Sequence, residues 1–331
     1  MKEYIFIKKN KVEWKEFESF LNPDSKIDPD HLAQLFIKLT DDLAYSKTFY
    51  PHAEVTKYLN QLSVKAYQKI YKTKKKEKGS LKKFWAIDVP QAVLESHKEL
   101  FYAFLFFVGA IALGFFSTMV NEKFPNLILG TNYVNTTIEN IEAGNPMGIY
   151  GDSGETGMFL GISSNNIRVS FMTYVLGVFG SFGSAYMLVK NGIMVGTFLA
   201  FFLPYHLFWL TLSTIFIHGA LELSAIVIAG GAGIVLGNSI LFPGTYSRSE
   251  SFRMGAKKSI KIIIGLVPVW VMAAILESFV TRHYLEMGGW LRSTIILISF
   301  GFIIWYFVIY PKKVGKKLSL AIENEKIQTK I

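Results

Sequence analysis

The chain has 331 residues, 51% hydrophobic and 15% aromatic, and its basic side chains outnumber the acidic ones by ten. It has no cysteine, which excludes disulfides, cysteine-ligated zinc, iron–sulfur clusters and thiol nucleophiles. The apolar residues come in blocks of roughly twenty, the length that crosses a bilayer. That composition excludes a soluble globular protein and predicts an all-α, polytopic α-helical membrane protein. The excess positive charge then marks the cytoplasmic side and not a nucleic-acid partner.

Residues 1–83 read as a basic cytoplasmic module of amphipathic helices. Segment 11–21 carries Val12, Trp14, Phe17 and Phe20 among charges. A second helix opens with Asp28 as its cap and Pro29 at its first position. It sets Leu32, Leu35, Phe36, Leu39 and Leu43 on one face. A third, over 55–71, repeats the pattern with Tyr58, Leu59, Leu62, Ala66 and Ile70. Three such helices can bury a small common core. Between Lys72 and Lys83, seven of twelve residues are lysine. The segment is a solvated linker, a contact for anionic lipid heads at about 1 kcal/mol per lysine, or both. Segment 1–10 is too short and mixed for a signal peptide, so the first span is expected to serve as the targeting signal.

Residues 84–99, with Phe84, Trp85 and Ile87, suit an interfacial helix. The transmembrane domain is predicted over 100–310, with six spans: 100–120, 169–189, 193–207, 217–242, 260–279 and 290–310. Pro204 breaks the third and Pro268 kinks the fifth; a re-entrant piece within 193–241 is the alternative. Segment 121–167 is rich in Asn, Gly, Thr and acidic residues and reads as extracytoplasmic. Lys190, Asn191 and Gly192, with Gly196 beyond, read as a tight turn. The tail 311–331 is basic. Charge bias places both termini in the cytoplasm of a multi-pass protein of the cell (inner) membrane.

The fourth span organises the rest. His218 and Glu222, four residues apart, share a helix face. A carboxylate at the bilayer centre costs at least about 2.5 kcal/mol, so it must face protein, water or a partner charge. Further along, Ala229, Gly233 and Gly237 recur every four residues and form a groove for close helix approach. Gly177, Gly180 and Gly183 make a similar series. Six spans bring Glu277, Arg282 and His283 to the depth of His218 and Glu222. The cluster reads as a structural pin in which Arg282 or His218 meets a carboxylate. The alternatives are a polar cavity for a solute or proton, and a metal site built from His218, Glu222 and Glu277. The spacing lacks His-Glu-x-x-His, so no metal or cofactor is assigned. Gly151-Asp152-Ser153-Gly154 has no all-β domain to hold a triad. Ala229-Gly230-Gly231-Ala232-Gly233 has no adjoining lysine and is a packing face. Asn135-Thr136-Thr137 is a glycosylation sequon only in a glycosylating host. Asn165, Asn166 and Asn191 read as helix caps.

Ile217-His218-Gly219-Ala220-Leu221-Glu222-Leu223-Ser224-Ala225, with Ala229-Gly230 in step, resembles the signature of the stage II sporulation protein M family, Pro-His-Gly-x-x-Glu-Leu-Pro-Ala-x-x-x-Ala-Gly. Asn191-Gly192-x-x-x-Gly196, Tyr58-Leu59-Asn60, Ile70-Tyr71 and Glu277-Ser278-Phe279-Val280-Thr281 are similar to other family features. Two family prolines are replaced by Ile217 and Ser224, and Arg282 stands where a third is expected. Without the first of these, the helix is expected to begin earlier than in relatives. The resemblance implies a membrane scaffold; the sporulation member is described as one for peptidoglycan-remodelling enzymes. No complete catalytic set is present. The expectation is a non-enzymatic integral membrane scaffold that organises membrane or cell-envelope partner proteins and forms a homodimer through its glycine ridges. The alternative is a transporter or channel component using the polar cluster.

Overall fold

The structure, a computed structural model, describes residues 2–20, 29–72, 80–146, 155–284 and 286–328. The chain divides into two compact units, 1–80 and 81–331.

The first unit holds three helices: α1 (Glu3–Phe20), α2 (Pro29–Phe49) and α3 (Glu54–Lys72). α1 begins well ahead of the expected segment, because Phe6 and Asn10 continue the stripe of Trp14 and Phe17 at helical spacing and all four are buried. Phe6, Trp14 and Phe17 pack with Leu39 and Leu43 of α2 and with Val55, Leu59, Leu62 and Ala66 of α3. Asp42, a buried carboxylate in this core, accepts the Trp14 indole N–H at 2.9 Å and Lys38 Nζ at 3.4 Å. Trp14→Phe removes one donor together with the pyrrole half of the indole ring. It is expected to cost about 1–3 kcal/mol, read as faster amide hydrogen exchange throughout α1 and α2. The Asp28 cap lies outside the described residues, as does most of the lysine-rich segment.

In the second unit α4 (Ser80–Lys83), a π turn (Phe84–Asp88) and α5 (Val89–Glu95) lead to α6 (His97–Val120). α5 buries Val89, Pro90, Ala92 and Val93. Short α7 (Phe124–Leu129) and α8 (Thr131–Glu142) follow, then α9 (Glu155–Val175), α10 (Phe182–Phe201), α11 (Phe208–Leu241) and α12 (Arg248–Ile275). α12 continues as a π turn at Leu276–Val280 and a 3-10 turn at Thr281–His283. α13 (Gly289–Ile304), a π turn (Trp305–Ile309) and α14 (Tyr310–Gln328) close the chain, so the tail expected from 311 prolongs the last helix.

Five helices among the described residues are long and apolar enough to cross a membrane: His97–Val120, Phe182–Phe201, Phe208–Leu241, Arg248–Val280 and Gly289–Ala321. The chain is an all-α, multi-pass membrane protein. α11 is its hub. The apolar window of α11 is 83% buried, against 28% for α6 and 17% for the last helix. Its Ala225, Ala229, Ala232 and Leu236 share a core with Ile262, Leu266 and Val269 of α12, Val93 of α5 and Phe307 beyond α13.

The span expected at 169–189 is two helices. The chain breaks at 179–181, where Gly180 and Ser181 both take positive φ, 65° and 69°. Lys190, Asn191 and Gly192 are therefore not a turn: they lie inside α10. The small residues there serve close packing. A Cβ on Gly192 would stand 2.7 Å from both Ala110 Cβ and the Phe107 carbonyl oxygen of α6, and one on Gly196 would strike the Ile111 carbonyl. Asn191 donates to the Met187 carbonyl one turn back at 2.7 Å and caps no helix end.

Candidate functional site

α11 begins at Phe208, ahead of the span expected from Ile217. Glu222 is consequently roughly four turns inside the helix, where the N-terminal dipole that acts within the first turn no longer helps it. His218 lies one turn before it on the same face, and both are buried. The facing residues come from the end of α12. There the π turn at Leu276–Val280 widens the helix by one residue per turn. The Leu276 carbonyl accepts both the Thr281 N–H and the Thr281 hydroxyl, the latter at 3.1 Å. Glu277 and Thr281, four residues apart, are turned together toward α11, and both are buried.

His218 is the meeting point. Its Nδ1 stands 3.0 Å from Thr281 Oγ1. Its Nε2 faces two carboxylates, Glu277 Oε1 at 3.6 Å and Glu222 Oε2 at 4.0 Å. From α9, Asn166 Nδ2 donates to the second Glu277 oxygen at 3.3 Å. The three ligand-type atoms of His218, Glu222 and Glu277 all lie within 4.8 Å of one another. Beside Glu222 is a cavity of about 10 Å³, walled by Asn166, Ile167, Trp270, Ala273 and Ala274.

Of the five residues expected in the cluster, His218, Glu222 and Glu277 come together. His283 does not: it is exposed and faces Glu286 at 3.6 Å. The Arg282 side chain lies outside the described residues, as does Gly151-Asp152-Ser153-Gly154. Thr281 and Asn166 join the cluster. Asn166, expected as a cap, instead projects from within α9.

The glycine ridge is used inside the chain. Gly233 packs against Ser184 and the Thr173 and Tyr174 carbonyls, and Gly237 against Ser181 and Gly177. Gly177 in turn abuts the backbone of Gly233, Gly183 meets Leu176, and Gly180 lies beside Leu241. Ala229 is fully buried. These contacts seat the α9–α10 junction on α11 and bury Gly177, Gly233 and Gly237 within the chain.

At the other end of α11, an open hollow of about 870 Å³ lies between α5, the end of α11 and the start of α12. Glu95, Glu99, Lys257, Lys258 and Lys261 are among its lining residues. Lys261 also pairs with Asp88 at 3.1 Å, tying α12 to the turn before α5.

A family model described as Stage II sporulation protein M matches residues 103–282. A second, described as a domain of unknown function (DUF8413), matches residues 5–72, the three helices of the first unit. No curated protein and no solved structure matches the chain.

Proposed function

Because the chain belongs to the stage II sporulation protein M family, we propose that it is a non-enzymatic scaffold of the cell membrane, with both termini in the cytoplasm, that recruits partner proteins through its three-helix unit. The observation that carries this reading is the division of the chain into a small helical unit with its own aromatic core and a close-packed membrane body. The polar cluster argues against a solute path. Binding sites for small molecules occupy about 300–1,000 Å³, whereas the cavity beside Glu222 has about 10 Å³. α9 completes a sixth crossing in this reading, held along α12 by Asn166–Glu277 at one end and by Tyr174–Ser259, 3.1 Å, toward the other. The hollow at Lys257 and Lys258, like Lys82 and Lys83, then faces the cytoplasmic leaflet, where anionic lipid heads attract the lysines.

Gentle solubilisation and affinity capture of the full chain test the proposal. A stoichiometric partner protein is expected, lost when residues 1–80 are deleted while the membrane body still purifies. Recovery of the bare chain alone, across several detergents and native nanodiscs, overturns it.

A further inference from the structure

We propose that the outer face of α1 docks on the anionic lipid surface of the cytoplasmic leaflet. Phe6, Asn10, Trp14 and Phe17 are buried along one side of this helix. At about 100° per residue, Lys8, Lys11 and Lys15 fall on the opposite side, with Lys9 at its edge. Tyr4, Ile5 and Val12 lie among them, 72%, 51% and 74% exposed. All four lysines are exposed, and none pairs with a carboxylate among the described residues. The acidic residues of α1 are drawn instead toward the other two helices. Glu13 faces Lys38 of α2 at 3.9 Å, although Lys9 stands four residues before it on α1. Glu16 meets His31 of α2 at 3.2 Å, and Glu18 accepts the Tyr58 hydroxyl of α3 at 3.3 Å. Glu3 lies on the side of Phe6 and Asn10.

A helix face that served solubility alone would interleave both signs at four-residue spacing. Here one sign is sorted outward, and anionic lipid heads are the surface that complements it. The choice of cation favours lipid over protein. All four are lysine, a hydrated point charge that suits a diffuse anionic surface, whereas arginine is the side chain that fixes a carboxylate across a protein interface. Apolar side chains set among the lysines suit shallow entry between headgroups. The opposite face is occupied by the three-helix core, so α1 lies on the surface and does not insert. Covalent continuity adds to the contact. α3 ends at Lys72 and the membrane body begins at Leu81, so the chain tethers this face near a bilayer, where a high effective concentration makes a weak attraction sufficient. The choice of leaflet rests on the cytoplasmic placement proposed above.

The chain has no cysteine, so Val12→Cys gives the full chain a single attachment point for a fluorophore. The test places it in nanodiscs of phosphatidylcholine alone or with phosphatidylglycerol added, with nitroxide-bearing lipid as the quencher. Several-fold stronger quenching is expected with phosphatidylglycerol. It should return to the phosphatidylcholine value at about 1 M salt, where the screening length falls to about 3 Å. A label at Val64→Cys, exposed on α3, should change much less. Lys8→Glu, Lys11→Glu and Lys15→Glu together should abolish the effect at position 12. Lys47→Glu, Lys57→Glu and Lys65→Glu together change the net charge equally on α2 and α3 and should preserve it. All six lysines are exposed, so neither set disturbs the core. Equal quenching in the two lipids overturns the proposal. So does equal loss in the two triple variants, which reports net charge and not a face. A label shielded in native membranes yet unquenched in both nanodiscs assigns the face to an acidic protein partner and overturns it too. Both sides of a nanodisc carry the same lipid, so the result does not depend on the cytoplasmic placement or on capture of a partner.

Discussion

Gly233→Ala is expected to lower the melting temperature of the detergent-solubilised chain sharply, while Gly219→Ala on the same helix leaves it unchanged or raises it. The two glycines sit on opposite sides of a packing divide. A Cβ at 233 would lie 2.8 Å from the Tyr174 carbonyl oxygen, 3.0 Å from that of Thr173, and closer still to Ser184 Oγ. Backbone cannot step aside, and the Ser184 hydroxyl is already committed to the Thr173 carbonyl at 2.6 Å. Overpacking of this kind costs about 1–3 kcal/mol or more. At 219 the nearest atom is a side-chain methyl of Ile215 at 3.4 Å, an ordinary contact. There alanine gains up to about 1 kcal/mol of helix propensity. Gly233→Leu should prevent α9 and α10 from seating on α11 at all, seen as loss of a monodisperse folded particle. Equal, small shifts for the two alanine variants would mean that the close approach at 233 is not what holds the bundle.

The pattern of these contacts explains what the sequence could and could not reveal. Apolar blocks and charge bias suffice for a polytopic all-α chain, because bilayer length and positive loops are local properties. His218 and Glu222 stand out for a similar reason: ionisable residues in an apolar run are costly wherever the helix lies. The break between α9 and α10 was harder to read. Glycine marks both turns and helix contacts, and Lys190-Asn191-Gly192 has the composition of a turn. Only the partner helix α6, seventy or more residues earlier, makes Gly192 and Gly196 packing positions. Asn166 and Thr281 were hidden likewise. An amide near a span end looks like a cap until a carboxylate 111 residues away is placed against it. Thr281 faces His218 because of the π turn at 276–280, and no residue pattern in that stretch announces the extra residue. A signal was nonetheless present: Glu277 and Thr281 repeat the four-residue spacing of His218 and Glu222.

His218→Ala in chelator-treated protein is expected to destabilise the membrane body by about 1–3 kcal/mol, the range for leaving buried polar groups without their hydrogen-bond partner. The substitution deletes the group that separates Glu222 from Glu277 and leaves two buried carboxylates facing one another. Glu277→Gln should cost much less. The glutamine carbonyl still accepts from Asn166, which now donates to Glu277 at 3.3 Å, and one negative charge is gone from the site. The double variant is the informative one. With Gln at 277, loss of the imidazole strands a single carboxylate at Glu222, so the two changes together should cost less than their sum by about 0.5–3 kcal/mol. The sign follows from the shared contact: once one partner is changed, changing the other no longer breaks the same interaction. Melting of the four proteins in one detergent, at one pH and with chelator throughout, measures the coupling. Strict additivity would mean that His218 and Glu277 do not interact, and α11 and the end of α12 would then be held by their apolar contact and not by this cluster.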